Sequence, residues 1–197
     1  MGELKLVVAK QQVRRCELEG KTPPLPKGKF DLILLDPPYP YKCWKSTSRA
    51  VANHYPTMTV EEISALPVQK LCADDCVLFL WVPAPQLATG LELIRRWGFQ
   101  YRTGAVWDKR TVGTGSYFRT RHEHLLLATK GDPRTPNPSN RPPSVFASTR
   151  TSRHSEKPQV AYEIIERMYP RAKRLELFAR ATRHGWSTWG NEVEQRA

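Results

Sequence analysis

One short segment constrains the fold of this chain more than any other. Residues 32–35 (LILL) form an uninterrupted apolar run that ends abruptly at Asp36-Pro37-Pro38-Tyr39. Apolar runs bounded by turn residues are typical of strands buried on both faces of a parallel sheet. The two prolines exclude continuation as a helix or as a paired strand. The pattern predicts a central strand over 30–35 that places a carboxylate and an aromatic ring at its carboxyl end, where open α/β sheets bind ligands. The same residues also fit an ordinary Asp-Pro turn.

The remaining segments alternate between strand and helix patterns. This alternation predicts an α/β protein with a Rossmann-like open, mainly parallel sheet and helices on both faces. Thr59 and Glu62 form a capping-box pattern at the start of one helix. Strands are predicted over 4–9, 30–35, 76–82, 101–107, 124–129, 145–150, 174–178 and 186–189, and helices over 59–66, over 86–97 and from residue 155 onward.

Two details of the core are also predicted. Leu91 and Trp97 have the spacing of core residues on the helix over 86–97, and Cys72 and Cys76 have the spacing of neighbours on a helix. The four cysteines are scattered and no second pair completes a zinc site. They are expected to be reduced thiols in a cytosolic protein.

Length and charge bound the class of protein. The 197 residues predict a single domain, with a basic lead-in over 1–29 and a proline-rich connection over 131–143. The net charge of +12, from 31 basic against 19 acidic residues, favours polyanionic partners, nucleic acid first. A basic protein without such a partner is the alternative. No signal peptide and no apolar run of membrane-spanning length occurs, so a cytoplasmic protein is expected, or a nuclear one in a eukaryote, without a membrane partner.

Several common enzyme motifs are missing. The sequence has no GxGxxG, GxxxxGK[ST], HExxH or GxSxG pattern and no paired carboxylates, which removes the sequence support for a Rossmann dehydrogenase or a P-loop enzyme. His122-Glu123-His124 resembles a metal-binding sequence. On a strand, however, the two histidines would share a face without Glu123, and no other ligand joins them. No metal site is expected.

The Asp36-Pro37-Pro38-Tyr39 segment suits methylation of an amine whose lone pair is delocalised into a ring, as in adenine. A carboxylate and a proline carbonyl that each accept an N–H bond would hold the amine pyramidal and aim its lone pair. An aromatic ring would fix the plane of the base by stacking, which contributes about 1–3 kcal/mol per base. Catalysis would then rest on proximity to an activated methyl group, that of S-adenosylmethionine.

Several short segments spread over roughly residues 30–194 carry a family resemblance. They are Asp36-Pro37-Pro38-Tyr39, His54-Tyr55-Pro56-Thr57-Met58, Leu78-Phe79-Leu80-Trp81, Trp107-Asp108-Lys109, Glu123-His124-Leu125-Leu126-Leu127 with Lys130-Gly131, Glu156-Lys157-Pro158, Glu176-Leu177-Phe178-Ala179-Arg180 and Gly190-Asn191-Glu192. In these segments and their order, the chain resembles the MT-A70 family of nucleic-acid adenine N6-methyltransferases, in the permuted order that has the catalytic motif first.

This resemblance implies a class I methyltransferase fold and a set of site residues. Asp36 to Tyr39 would be catalytic (Asp36, Pro37, Pro38 and Tyr39). S-adenosylmethionine would be the cofactor, held by Asp36, Lys157, Glu176, Phe178, Arg180, Asn191 and Glu192. Within that set, Glu176 suits the ribose hydroxyls, and Lys157 or Arg180 suits the methionine carboxylate.

Two loops, over 40–57 and 108–121, interleave basic and aromatic residues, which suits an unpaired or flipped adenine. Their predicted substrate-binding residues are Tyr41, Lys42, Trp44, His54, Tyr55, Lys109, Tyr117, Arg119 and Arg121. DNA is favoured as the substrate because a compact, basic chain with Tyr39 and no visible accessory domain looks like a bacterial or phage member of the family, and RNA is the close runner-up. A catalytically inactive nucleic-acid-binding partner subunit and a small-molecule amine methyltransferase stay open. So does a protein partner or a homodimer.

Overall fold

A computed structural model describes residues 23–40, 57–113, 115–149 and 156–193. Within these residues the chain forms one sheet whose seven strands lie in the order β5-β3-β4-β2-β1-β6-β7. The strands are β1 (Phe30–Leu35), β2 (Cys72–Pro83), β3 (Gln100–Asp108), β4 (His122–Lys130), β5 (Val145–Ala147), β6 (Arg174–Leu177) and β7 (Trp186–Trp189). The helices are α1 (Val60–Ser64), α2 (Val68–Leu71), α3 (Leu87–Arg96) and α4 (Gln159–Met168), with short 3-10 turns at Ala84–Gln86 and Pro138–Asn140.

The sheet is mixed but mainly parallel, as predicted. Strand β1 pairs in parallel with β2 and β6, and β7 continues that direction beside β6. Strand β4 alone runs against its neighbours β2 and β3, because β3 and β4 are consecutive strands joined by a loop rather than by a crossover helix. This is the class I methyltransferase fold.

The central strand is buried on both faces, which is why its apolar run does not alternate. Ile33 and Leu35 pack on the face that α1, α2 and α3 cover, together with Ile63 and Ile94. Leu32 and Leu34 pack on the opposite face, against Ala161 and Ile165 of α4. The prediction of helices on both faces is therefore confirmed.

The capping box is present, and one core prediction is wrong. The Thr59 side chain accepts the Glu62 N–H, and the Glu62 carboxylate accepts the Thr59 N–H, so α1 begins where the pattern indicated. Leu91 is 38% exposed rather than in the core. Helix α3 instead turns Gly90 toward the sheet, where an added Cβ would lie 2.5 Å from a Val82 methyl carbon. Leu91 is the next residue along the helix, so its side chain points about 100° away from Gly90 and toward solvent.

The helix-neighbour interpretation of Cys72 and Cys76 is also wrong. Both lie on β2, which begins four residues earlier than predicted. The register passes from Phe30↔Cys72 to Leu32↔Val77, so β2 carries extra residues in an irregular stretch. The acidic residues at 74 and 75 interrupt the apolar pattern there and are exposed, which concealed the start of the strand.

Other boundaries differ by a few residues. Strand β5 ends at Ala147, α4 begins at Gln159 with Pro158 as its N-cap, and Phe178 lies outside β6. The predicted strand over 4–9 lies outside the described residues. Among the helices that the structure does describe, none has the length and apolar character needed to span a membrane.

Candidate active site

The functional segments meet at one edge of the sheet. Strands β1, β2, β3, β6 and β7 all point their carboxyl ends there, because β1, β2, β6 and β7 are parallel and β3 shares their direction through its antiparallel partner β4. Strand β4 begins at the same edge. Strand β5, which is parallel to β3, also ends at this edge. The topology therefore gathers the ends of six strands and the start of the seventh around Asp36, where an α/β sheet binds its ligand.

The diproline elbow after β1 is fixed by backbone hydrogen bonds. The Tyr39 N–H donates to the Pro37 carbonyl at 2.9 Å, and the Met58 N–H donates to the Pro38 carbonyl at 2.9 Å. The Gln86 amide Nε2 donates to the Pro40 carbonyl at 3.0 Å. The elbow is thus tied to the segments that lead into α1 and α3, and its carbonyls have set positions.

Tyr39 lies in the core rather than on an open surface. Its ring is 4% exposed and packs on the face of the sheet that α1 and α3 cover. Its buried hydroxyl finds no hydrogen-bond partner among the described residues. Burial, reinforced by the charges of Asp36 and Glu123, raises the pKa of Tyr39 well above its usual value, so the hydroxyl stays protonated.

Behind the elbow lies a chain of four alternating charges, here called the charge network: Asp36, Lys157, Glu123 and Lys109. Lys157 Nζ is 2.9 Å from Asp36 Oδ1 and 3.3 Å from Glu123 Oε2, and Lys109 binds the other Glu123 oxygen. Two indole rings line it, because Lys157 Nζ lies 5.4 Å from the Trp81 ring centre and Lys109 Nζ lies 5.0 Å from that of Trp107. The two acids and two bases compensate one another within a largely buried site.

Burial and the neighbouring opposite charges shift the pKa values of these groups in opposite directions. Burial raises the pKa of Asp36, and the neighbouring Lys157 charge partly opposes that rise. For Glu123 burial would also raise the pKa, but Lys157 and Lys109 outweigh it and lower the value to about 2. Burial would lower the pKa of Lys157, but Asp36 and Glu123 raise it above its usual value. Glu123 and Lys157 are therefore charged at neutral pH.

Glu176 on β6 lies on the same face of the sheet as the charge network, which is the face that α4 covers. Its Oε1 accepts the Tyr162 hydroxyl of α4 at 2.7 Å, and the residue is 6% exposed. Burial raises the pKa of Glu176 to about 7; the Tyr162 hydrogen bond opposes this and the Asp36 charge adds to it. A buried carboxyl that titrates near neutrality is typical of a functional site.

The segments after β6 and β7 lie against each other. Phe178 adopts the left-handed φ of 66°, and its ring meets the Trp189 ring edge-on with centroids 5.6 Å apart. The Ala179 N–H donates to the Trp189 carbonyl at 2.9 Å. At Gly190 an added Cβ would lie 2.1 Å from the Ala179 carbonyl oxygen, so only glycine permits this approach. Arg180 and Glu192 follow, with Arg180 Nε 3.8 Å from Glu192 Oε1.

These residues fit S-adenosylmethionine. Lys157 and Arg180 supply cations for a carboxylate, and Glu176 supplies a buried acceptor for hydroxyls. The Lys157 ammonium has three N–H groups, and the carboxylates of Asp36 and Glu123 already lie beside it. The close approach at Gly190 brings Asn191 and Glu192 beside the segment after β6. The predicted cofactor residues are thus at one edge, and their individual contacts stay predictions.

The loop between β3 and β4 has a closed stem. The Lys109 N–H donates to the Arg121 carbonyl at 3.0 Å, and the Gly113 N–H donates to the Thr120 carbonyl at 2.7 Å. Arg121 binds Asp108 through two hydrogen bonds, both of 2.7 Å. Arg119 Nε donates to the Gly113 carbonyl at 3.2 Å. At the tip, the side chains of Tyr117 and Phe118 are 99% and 92% exposed.

The predicted substrate residues fall into two groups. Tyr117, Arg119 and Arg121 lie on this loop, whereas Lys109 is 8% exposed and belongs to the charge network rather than to the surface. The others lie outside the described residues, namely Tyr41, Lys42, Trp44, His54 and Tyr55.

Glu123 is the residue that sequence reasoning missed. The two neighbouring histidines do share a face, with ring centroids 5.0 Å apart, and Glu123 points to the other face as the alternation required. On that face Glu123 is in phase with the buried Leu125 and Leu127. An acid in phase with buried positions requires a cationic partner, and this signal could have identified it. Among the described residues no group of three or more His, Cys, Asp or Glu side chains could hold a metal ion.

An α/β sheet whose central strand ends in an Asp-Pro-Pro-Tyr elbow, beside loops that fit S-adenosylmethionine, defines a class I amino-methyltransferase. The MT-A70 family profile matches residues 30–192, and the chain belongs to that family of adenine N6-methyltransferases, which use S-adenosylmethionine as the methyl donor.

Three relatives illustrate the family. The chain is 34% identical to "Type II methyltransferase M.MunI" of Mycoplasma sp, over 94% of this chain and 87% of that protein. It is 30% identical to the human "N(6)-adenosine-methyltransferase catalytic subunit METTL3", over 85% of this chain and 29% of that protein. It is 29% identical to the mouse "N(6)-adenine-specific methyltransferase METTL4", over 98% of this chain and 44% of that protein. The chain thus spans nearly all of the first relative and less than half of the other two.

Proposed function

We propose that this chain methylates the N6 amine of adenine in nucleic acid, with DNA as the preferred substrate, and that the Asp36–Tyr39 elbow is its catalytic centre. The observation that carries this proposal is the position of Asp36 at the carboxyl end of the central strand, beside a fixed diproline elbow and 2.9 Å from buried Lys157. When bound, S-adenosylmethionine supplies an electrophilic methyl group.

The elbow would grip the amine through two acceptors. The N6 amine of adenine has two N–H groups, and the Asp36 carboxylate and the Pro37 carbonyl would each accept one. The Pro37 carbonyl already accepts the Tyr39 N–H, and its second lone pair is the one available to a ligand. Holding both N–H groups aims the nitrogen lone pair, and catalysis then follows from proximity and orientation. Tyr39 would support the base by stacking, which requires that a face of its buried ring be reached.

The charge network would set the state of Asp36. Lys157 faces the Asp36 carboxylate and favours its ionised form, which accepts hydrogen bonds better than the neutral acid. Glu123 and Lys109 hold Lys157 from behind. Lys157 and Arg180 would also meet the cofactor's carboxylate, while Glu176, Phe178, Asn191 and Glu192 would line the rest of its site.

The net charge of +12 supports a polyanionic substrate. The relative named a type II methyltransferase, which matches at nearly full length, favours DNA. The adenosine methyltransferases, of which the chain covers under a third, favour RNA. The chain would act in the cytoplasm, or in the nucleus of a eukaryote, with or without a protein partner.

The proposal is tested by methyl transfer to single-stranded DNA, duplex DNA and RNA, followed by mass spectrometry of the nucleosides. N6-methyladenine is expected from wild type, most of all with DNA, and none from Asp36→Asn. Equal product from wild type and Asp36→Asn would overturn the catalytic assignment. Product from RNA alone would overturn the preference for DNA.

A further inference from the structure

The most exposed aromatic residues of the described chain lie on the loop between β3 and β4. Tyr117 and Phe118 are adjacent and almost wholly exposed, whereas the rings of the sheet are packed in pairs such as Trp81 and Trp107. Two neighbouring aromatic side chains on a surface indicate a binding site when charged residues surround them. Arg110 and Arg119 lie on the same loop.

The backbone of the loop turns tightly beneath this pair. Beyond the stem bonds, Gly113 and Gly115 allow the two sides of the loop to approach very closely. An added Cβ would lie 2.8 Å from the Thr120 carbonyl oxygen at Gly113, and 2.0 Å from the Phe118 carbonyl oxygen at Gly115. The tip is therefore a tight turn of the backbone that holds both rings away from the body of the protein.

The loop is also anchored in the active site. Its stem begins at Lys109 and ends just before β4, so both of its ends adjoin the ion pair between Lys109 and Glu123. Glu123 is five positions after Phe118, which limits the Phe118 backbone to about 18 Å from that of Glu123 in the charge network. That reach corresponds to about five base steps of a duplex. The two rings thus lie within reach of base pairs next to a nucleotide bound at Asp36.

We infer that Tyr117 and Phe118 form a wedge that enters the base stack of duplex DNA and fills the space left by the extruded adenine. This inference rests on the proposed function. An adenine inside a duplex must be extruded before its N6 can reach Asp36, and extrusion costs a few kcal/mol of unstacking. Apolar and aromatic side chains inserted between base steps offset that cost. A single strand has no such cost, so the wedge matters for duplex DNA and little for single strands.

The test compares Tyr117→Ala/Phe118→Ala with wild type on one unmethylated DNA, as a duplex and after strand separation. Because only the duplex has an extrusion cost for the wedge to offset, methyl transfer to the duplex is expected to fall about tenfold or more, and transfer to single strands by less than about twofold. Tyr101→Ala is the matched control, because Tyr101 is 46% exposed near the start of β3, at the opposite edge of the sheet. Binding of S-adenosylmethionine and the melting temperature should not change in either variant.

Fluorescence anisotropy with the same two DNAs gives a readout that does not depend on methyl transfer. The double variant should bind the duplex more weakly and the single strand as wild type does. Equal losses on both DNAs would assign the rings to unpaired bases and overturn the wedge, as would no loss on either. A dimer in wild type that becomes a monomer in the variant, seen by light scattering, would show that the rings bind a second copy. If wild type methylates no nucleic acid, the proposed function fails, and duplex binding still decides the wedge.

Discussion

Asp36 is held between two opposing influences on its pKa, burial and the charge of Lys157, and burial is the stronger of the two. Burial raises the pKa of this carboxyl, whereas the Lys157 ammonium 2.9 Å away favours the charged form. The proposed grip on the amine needs an ionised acceptor. We therefore propose that Lys157 acts as a positioning residue for Asp36 in addition to its proposed contact with the cofactor.

We expect Lys157→Met to move the acid limb of the pH profile of kcat to higher pH. Removing the ammonium takes away an influence that lowers the pKa of Asp36, so that pKa rises and ionisation requires a more alkaline solution. The measurement is single-turnover methyl transfer across pH at saturating S-adenosylmethionine. Lys173→Met is the control, since Lys173 lies over the Phe30 ring at the start of β1. An unchanged acid limb in Lys157→Met would refute the coupling.

Glu176 should make the protein less stable as the pH rises from about 4.5 to about 7. Its pKa is raised from 4.5 to about 7, so the folded state binds the proton more tightly than the unfolded state does. The stability that this proton contributes is complete below about pH 4.5 and is lost as the pH rises to about 7. Glu176→Gln should therefore be more stable than wild type above pH 7, by about 3 kcal/mol at most, and similar at pH 4.

Urea unfolding of both proteins without ligand, at several pH values between 4 and 8, measures this difference. Glu163→Gln, on the exposed side of the same helix α4, is the matched control substitution. A pH-independent difference for Glu176→Gln would show that the pKa of Glu176 is the same in the folded and unfolded states and would contradict the prediction. The same variant should bind S-adenosylmethionine more weakly if Glu176 meets the ribose.

At the scale of elements, the cofactor side of the site depends on how closely two strand ends approach. The segment after β7 crosses the segment after β6 at Gly190, with backbone atoms in contact. Phe178 takes a left-handed conformation there, which is uncommon for a residue with a side chain. Such strain tends to occur at functional sites.

Gly190→Ala should weaken binding of S-adenosylmethionine by about tenfold or more while the sheet stays folded. The added methyl group would lie 2.1 Å from the Ala179 carbonyl oxygen, so the two segments must separate and the proposed cofactor residues move with them. Calorimetry measures the affinity, and circular dichroism confirms the fold. Gly185→Ala is the control, because its methyl meets only the Arg174 guanidinium at 3.7 Å, although its φ of 78° also costs stability. Equal affinities in wild type and Gly190→Ala would contradict the assignment.

Elements also show what sequence can and cannot predict. Strand β1 and its elbow followed directly from an apolar run that ends in prolines, because burial on both faces removes the alternation that other strands show. The start of β2 did not, because the exposed acids between Cys72 and Cys76 lie in an irregular stretch that sequence periodicity cannot register. Leu91 was wrongly predicted to be in the core, because helical spacing alone does not determine which face of the helix is buried. The close packing of Gly90 against the sheet determines that face.

At the scale of the whole molecule, the resemblance located segments and the fold brought them together. Asp36 and Lys157 are far apart in sequence, and their contact arises because α4 begins over the carboxyl end of β1. The sequence did not predict that Glu123 would join this ion pair, because the two histidines beside it suggested a metal site instead. Its contact with Lys157 is seen only in the structure. Residue identity thus predicted which groups matter, and sheet topology determined which of them form ion pairs.

The net charge of +12 predicts how binding to nucleic acid depends on salt. Each phosphate that a Lys or Arg neutralises releases counterions, so affinity for duplex DNA should fall by about 10³-fold or more between roughly 50 and 200 mM salt. Affinity for S-adenosylmethionine should change by less than about twofold over the same range, because the proposed contacts are short-range and partly buried. Anisotropy for DNA and calorimetry for the cofactor, with one preparation, measure both. A DNA affinity that ignores salt would mean that the excess positive charge does not face the substrate, and the substrate surface would then have to be sought elsewhere than on the basic loops.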